Sequence, residues 1–126
     1  MTTNPVNWFE IYVQDIDRAT FFYESVLQVK LEPLTSPAMP EMQMRSFPAR
    51  SDSWGAGGAL VKLKGVPSGG NSTIVYFSCA DCAAEVSRVI AAGGQIDRDK
   101  MSIGEYGYIA LVVDTEGNMV GLHSLQ

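Results

Sequence analysis

The sequence predicts an α+β domain built of two βαβββ modules whose strands form a curled mixed sheet. Three observations predict it. The chain nearly repeats itself, since residues 8–31 moved forward by 66 positions fall on residues 74–97. Trp8-Phe9-Glu10-Ile11-Tyr12-Val13 lands on Ile74-Val75-Tyr76-Phe77-Ser78-Cys79, and Asp15 lands on Asp81. Each copy reads in the same order: an alternating apolar stretch, an acidic turn, then apolar residues at helical spacing. Between the copies, Gly65-Val-Pro-Ser-Gly-Gly-Asn71 has the composition of a linker. Residues 1–126 therefore form a single domain of two modules, about 6–64 and 72–125.

In the first module, Phe9, Ile11 and Val13 alternate with Trp8, Glu10 and Tyr12, which predicts a strand over 7–13 with both faces occupied. Asp15 or Asp17 can cap the following helix by accepting from amides of its first turn. Ala19, Phe22, Tyr23 and Val26 make an apolar stripe over 18–27. Short strands are expected at 29–31, 42–47 and 59–63, with the proline-bearing 33–40 and the glycine-rich 51–58 as loops. In the second module the same logic gives a strand at 73–79 and a helix at about 82–92 stopped by Gly93-Gly94. Strands follow near 95–97, at 108–113 and at 118–124, the last two joined by the turn Asp114-Thr-Glu-Gly117.

Composition excludes several classes. A net charge of −5 and a pI near 4.7 argue against nucleic acid as a partner. The longest apolar runs fall far short of the roughly 20 residues that span a bilayer. No basic amphipathic segment suggests a membrane surface, and the opening Met1-Thr-Thr-Asn-Pro5 has neither the basic nor the apolar stretch of a secretion signal, so a cytoplasmic protein is expected. Cys79 and Cys82 form a C-x-x-C, open to a redox or metal reading. The repeat puts them in the places of Val13 and Ile16, and core packing is the expectation.

Several segments carry a resemblance. Val13-Gln-Asp15-Ile-Asp-Arg-Ala with Phe22-Tyr23, then Ala91-Ala-Gly-Gly94, then Ile109-Ala-Leu-Val-Val-Asp114-Thr-Glu-Gly117-Asn118 resemble the vicinal-oxygen-chelate superfamily. Glyoxalase I, bleomycin-resistance proteins, extradiol dioxygenases and fosfomycin-resistance enzymes belong to that superfamily. The likeness covers essentially the whole chain, with Thr115 where proline is usual. It implies a cup-like sheet, usually completed in a homodimer, and in metal-dependent members a divalent ion held by four inward strand positions. Here those positions should be Trp8, Lys62, Ile74 and Gly121. Indole, alkyl group and bare backbone offer no donor, and a protonated amine repels a cation. No cofactor is therefore expected.

What remains is a set of candidate ligand-binding side chains: Trp8, Glu10, Lys62, Tyr76, Trp54, Tyr106 and His123. Glu10 and His123 lie two residues beyond Trp8 and Gly121, on the same strand faces, and could form an acid–base pair or a displaced metal site. Tyr76 is the repeat partner of Glu10. Lys62 could attract an anion if it faces the cup, or point to solvent if the register is shifted by one. Met101-Ser-Ile-Gly-Glu-Tyr-Gly107 suits a mobile lip over a cavity. Metal-free small-molecule binding is the first expectation. The alternative is a lyase, isomerase or oxygenase using a relocated metal or the Glu10–His123 pair. A domain with no pocket, serving only association, is the third.

Overall fold

The computed structural model describes residues 4–37, 39–50 and 52–126. Ala38 of the expected 33–40 loop, Ser51 of the expected 51–58 loop, and Met1, Thr2 and Thr3 lie outside the described residues. The element order is β1 (Trp8–Tyr12), α1 (Ile16–Leu27), β2 (Glu32–Leu34), β3 (Gln43–Ser46), β4 (Gly57–Lys62), β5 (Tyr76–Ser78), α2 (Cys82–Val89), β6 (Gln95–Ser102), a 3₁₀ turn (Gly104–Tyr106), β7 (Tyr108–Val113) and β8 (Met119–Ser124). The predicted βαβββ order therefore occurs twice. The strands form two four-stranded mixed sheets, β1-β4-β3-β2 and β5-β8-β7-β6, each with one parallel pair at its inner edge.

The repeat is visible at atomic detail in the helix caps. Asp15 accepts from the Arg18 amide at 3.0 Å, and Asp81, 66 positions on, accepts from the Ala83 amide at 3.0 Å. Two expected elements shift. The strand expected at 29–31 forms at 32–34, where Pro33 is tolerated because β2 is an edge strand. The short strand expected near 95–97 extends to Ser102 by pairing with β7 through two register shifts. Cross-strand pairing, invisible to local periodicity, set both.

One core serves both modules. Phe9, Ile11, Val13 and Leu60 of the first sheet, and Phe77, Ala110, Val112, Val120 and Leu122 of the second, pack with Phe22, Tyr23 and Val26 of α1 and Cys82, Val86 and Val89 of α2. Side chains of alternate parity, such as Glu10 and Tyr12, lie on the open face of the sheet, away from the helices. Across the junction, Phe9, Phe47, Phe77 and Tyr23 form an aromatic cluster with ring centroids 5.3–5.8 Å apart. Gly58 is a glycine because the Phe9 ring lies where its Cβ would be, at 2.5 Å.

Candidate functional site

The two ends of the inter-module junction are built differently. At one end the turn 114–118 plugs the gap. Glu116 accepts from the backbone N–H of Gln14 and of Asp15, both at 2.9 Å, and from Arg18 Nε and Nη2 at 2.6 and 2.9 Å. Burial works against its ionisation, but hydrogen bonds from Arg18, Thr115 and the two amides prevail and hold its pKa down at about 2. Next to it, Tyr23 donates to Asp114 at 2.6 Å, and Asn118 donates to the Tyr12 carbonyl at 2.9 Å. Burial raises the Asp114 pKa and raises that of Tyr23 well above the usual phenol value.

At the other end, the corresponding connection runs over 47–56 between β3 and β4. It is ten residues long against five between β7 and β8, and its described residues make no hydrogen bond to the second module. A cleft of about 570 Å³ remains, within the range usual for small-molecule sites. Phe9, Phe47, Phe77, Leu27 and Val29 give it an apolar floor; Arg50, Ser53 and Trp54 contribute from the loop, and Tyr76, Ser78 and Glu85 from the second module. Trp54 is 86% exposed at the rim. Arg50 is forked onto Asp52 at 2.9 and 2.7 Å. Glu85 stands in the first turn of α2, with Oε1 buried and without a hydrogen-bond partner. Its Oε2 lies 3.6 Å from Arg88 Nη2, while Arg88 donates to the Val26 carbonyl through Nε and Nη2 at 3.1 and 2.9 Å.

The predicted site residues separate into groups. Trp54 and Tyr76 line the cleft. Glu10 instead lines a smaller hollow of about 250 Å³ beside the linker, with Tyr12, Pro67, Asn71 and Asn118. Its carboxylate accepts from Trp8 Nε1 at 3.2 Å and from the Tyr12 hydroxyl at 3.0 Å, which raises the Tyr12 pKa. His123 lines neither hollow, and its Nε2 donates to the Tyr106 carbonyl at 2.7 Å. No hydrogen bond or salt bridge among the described residues joins Glu10 to His123. Tyr106 itself is 68% exposed on the 3₁₀ turn, where the Gly107 amide bonds the Gly104 carbonyl at 3.2 Å.

Strand register separates the two readings of Lys62. Trp8, Glu10 and Tyr12 pair with Gly57, Ala59 and Val61, so Lys62 has the opposite parity and does not face the cup with Glu10. The pairing that decides this depends on where β4 begins, which lies upstream in the glycine-rich segment. Register also gives the counterpart of Gly121, which sits beside Tyr76, as Ala59 beside Glu10. Gly121 carries no side chain because the Tyr76 ring occupies the space its Cβ would need. Ile74 precedes β5. Trp8, Ala59 or Lys62, Ile74 and Gly121 do not fit a divalent ion, since none offers an imidazole, carboxylate or thiolate. Among the described residues, no three His, Cys, Asp or Glu side chains are grouped so as to hold a metal.

Cys82 is fully buried and Cys79 half-buried, both as free thiols, in agreement with the core packing read from Val13 and Ile16. Burial, then the neighbouring Glu85 carboxylate, push the Cys79 thiol up to about 12, far from the depressed values of reactive cysteines. Sequence reasoning missed Glu85, Phe47 and Arg50. For Glu85 a signal existed: its repeat partner is Ala19, fully buried, so an acid stands at a core-facing position.

Comparison with known proteins agrees with this architecture. The sequence model of the Glyoxalase/Bleomycin resistance protein/Dioxygenase superfamily matches residues 6–122, and the chain belongs to that superfamily. It is similar to a glyoxylase-like domain-containing protein of Didymella fabae, 27% identical over 114 residues, or 90% of this chain and 88% of the relative. Among solved structures it is similar to a glyoxalase/bleomycin resistance protein of Albidiferax ferrireducens, with a TM-score of 0.69 and 19% identity over 94% of this chain and 98% of the other. Glyoxalase I of Zea mays superposes with a TM-score of 0.73 and 23% identity over 96% of this chain, which spans about half (46%) of the maize enzyme. At these identities the structural likeness speaks for the fold. No described helix is long and apolar enough to cross a membrane.

Proposed function

We propose that the chain is a small-molecule-binding member of this superfamily that works without a chelated divalent ion, and that its ligand enters the cleft beneath the 47–56 loop. The observation that carries this reading is the cleft itself. It has an aromatic floor, a few polar groups and a rim tryptophan, at the junction where the other half of the molecule is plugged. The donor-poor side chains at the expected chelate positions support the metal-free part. The open face leaves Trp8, Ile74, Tyr76 and Met101 37–47% exposed, and we propose that a second copy of the chain covers this face in a homodimer.

Elemental analysis of the purified protein, with thermal melts in the presence and absence of Mn²⁺, Ni²⁺, Zn²⁺ and Fe²⁺, tests the metal-free part. The expected outcome is no stoichiometric metal and no upward shift, because a ligand that binds only the folded state must raise the melting temperature. A stoichiometric metal lost on Glu10→Ala or His123→Ala would reverse the reading in favour of an enzyme with a relocated site. Melts against a metabolite panel test the binding part in the same format.

A further inference from the structure

Within the cleft, one polar atom is out of place. Glu85 Oε1 is buried and has no partner, although a buried acceptor left without a donor costs stability and is rare in folded proteins. The nearby cation does not resolve this. Arg88 Nη2 pairs with Oε2 only at 3.6 Å, beyond good hydrogen-bond range, and directs Nε and Nη2 N–H groups to the Val26 carbonyl, while the neighbouring Cys79 thiol donates to the Phe77 carbonyl at 3.6 Å. In the first module the same place is a buried alanine, so packing alone does not require an acid there. Arg50, the basic residue in the described lining, is forked onto Asp52. The cleft therefore has in its wall a carboxylate with one unsatisfied oxygen and only a long ion pair, together with an aromatic floor, while Arg50 is held by Asp52.

We propose that the cleft selects ligands that carry a protonated amine on an aromatic or apolar body. The ammonium pairs with the Glu85 carboxylate where that side chain lines the cleft, and the body packs on Phe9, Phe47 and Phe77. A charge-assisted bond from an ammonium to a carboxylate is stronger than a neutral one, and ammonium groups also favour aromatic faces. An anionic analogue of the same shape meets the Glu85 carboxylate instead and is repelled. This inference rests on the reading of the cleft as the ligand site and adds the chemical class it takes.

The test titrates ¹⁵N-labelled full-length chain with three probes of one shape: 2-phenylethylamine, 2-phenylethanol and 3-phenylpropionate. The amine should bind roughly tenfold or more tightly than the carboxylate, the size of effect expected for a hydrogen bond to a charged group. Amide shifts should centre on Phe9, Phe77, Ser78 and Glu85, and Trp54 fluorescence should change. In Glu85→Gln, which keeps the volume and removes the charge, the preference for the amine should fall to about twofold or less. The wild-type comparison stands alone should that variant not fold. Equal binding of amine and carboxylate, a preference for the carboxylate, or an undiminished preference in Glu85→Gln would overturn the proposal. Shifts centred on Glu10 and His123 would do so too while leaving small-molecule binding intact. A chain that binds neither these probes nor any metabolite of a broad panel would remove both readings.

Discussion

Glu116 gathers donors from three parts of the chain, and its removal should be felt across the junction. Glu116→Ala strips partners from two backbone amides and should cost roughly 2–3 kcal/mol, read from urea unfolding midpoints. Tyr23→Phe removes the shorter of two bonds to Asp114 Oδ2, leaving Asn118 Nδ2 at 3.2 Å, and should cost about 1–3 kcal/mol in the same assay. The pH dependence has a definite sign. Glu116 has a folded pKa of about 2, below the ordinary 4.5, so its contribution is present above pH 4.5 and is lost as pH falls toward 2. Asp114, raised by burial, acts the other way: its contribution is full below the usual carboxylate range and is lost as pH rises through its folded value. Glu116→Gln should therefore flatten the acid limb of the stability profile. At Cys79 a thiol held near 12 stays protonated at neutral pH, and alkylation of native protein at pH 8 should leave it unmodified; rapid labelling would show the thiol to be in a different environment. Of these residues the sequence shows Asp15, Tyr23 and Asp114 as cap, core and turn. It does not show that Glu116 reaches back about a hundred positions, because no local pattern encodes a contact between turns of different modules.

At the level of elements, the difference between two connections decides where a ligand can sit. The turn between β7 and β8 is short and self-bonded, with the Glu116 and Asn118 amides both on Asp114 Oδ1 at 2.8 Å. The connection between β3 and β4 is twice as long and places an exposed Trp54 in the lining of the cleft. Deleting 50–54 would bring it to the length of its counterpart. Because loop length changes closure entropy only slowly, the shortened chain should still unfold cooperatively. It should also lose the amine response, checked by the same titration. The paired helix caps allow a cleaner measurement: Asp15→Ala should cost about 1 kcal/mol in thermal or urea unfolding. The glycine-rich composition marked 51–58 as loop, but only the register of β4 against β1 told which residues of the next strand face the cup.

For the whole molecule, the modules share one core and leave a broad open face. The same face holds Tyr12, Met42 and Met44 in the first sheet. In the second it holds Tyr76, Ile109, Leu111, Val113 and Met119, paired across β5, β8 and β7. Size-exclusion chromatography with light scattering should give twice 13.7 kDa, and a monomer at micromolar concentration would argue that the open face is not an interface. The division into two βαβββ modules, the helix caps, the cysteines as core and the absence of donors at Trp8, Ile74 and Gly121 were all determined by the sequence. Each depends on periodicity, composition or side-chain chemistry, which are local properties. Only the tertiary structure decided that Lys62 turns away from Glu10, that Glu10 and His123 take separate partners, and that one oxygen of Glu85 is left without a hydrogen bond beside a cleft. Those outcomes depend on strand register and on which turn meets which helix, and a shift of one residue in either reverses them without altering any local pattern.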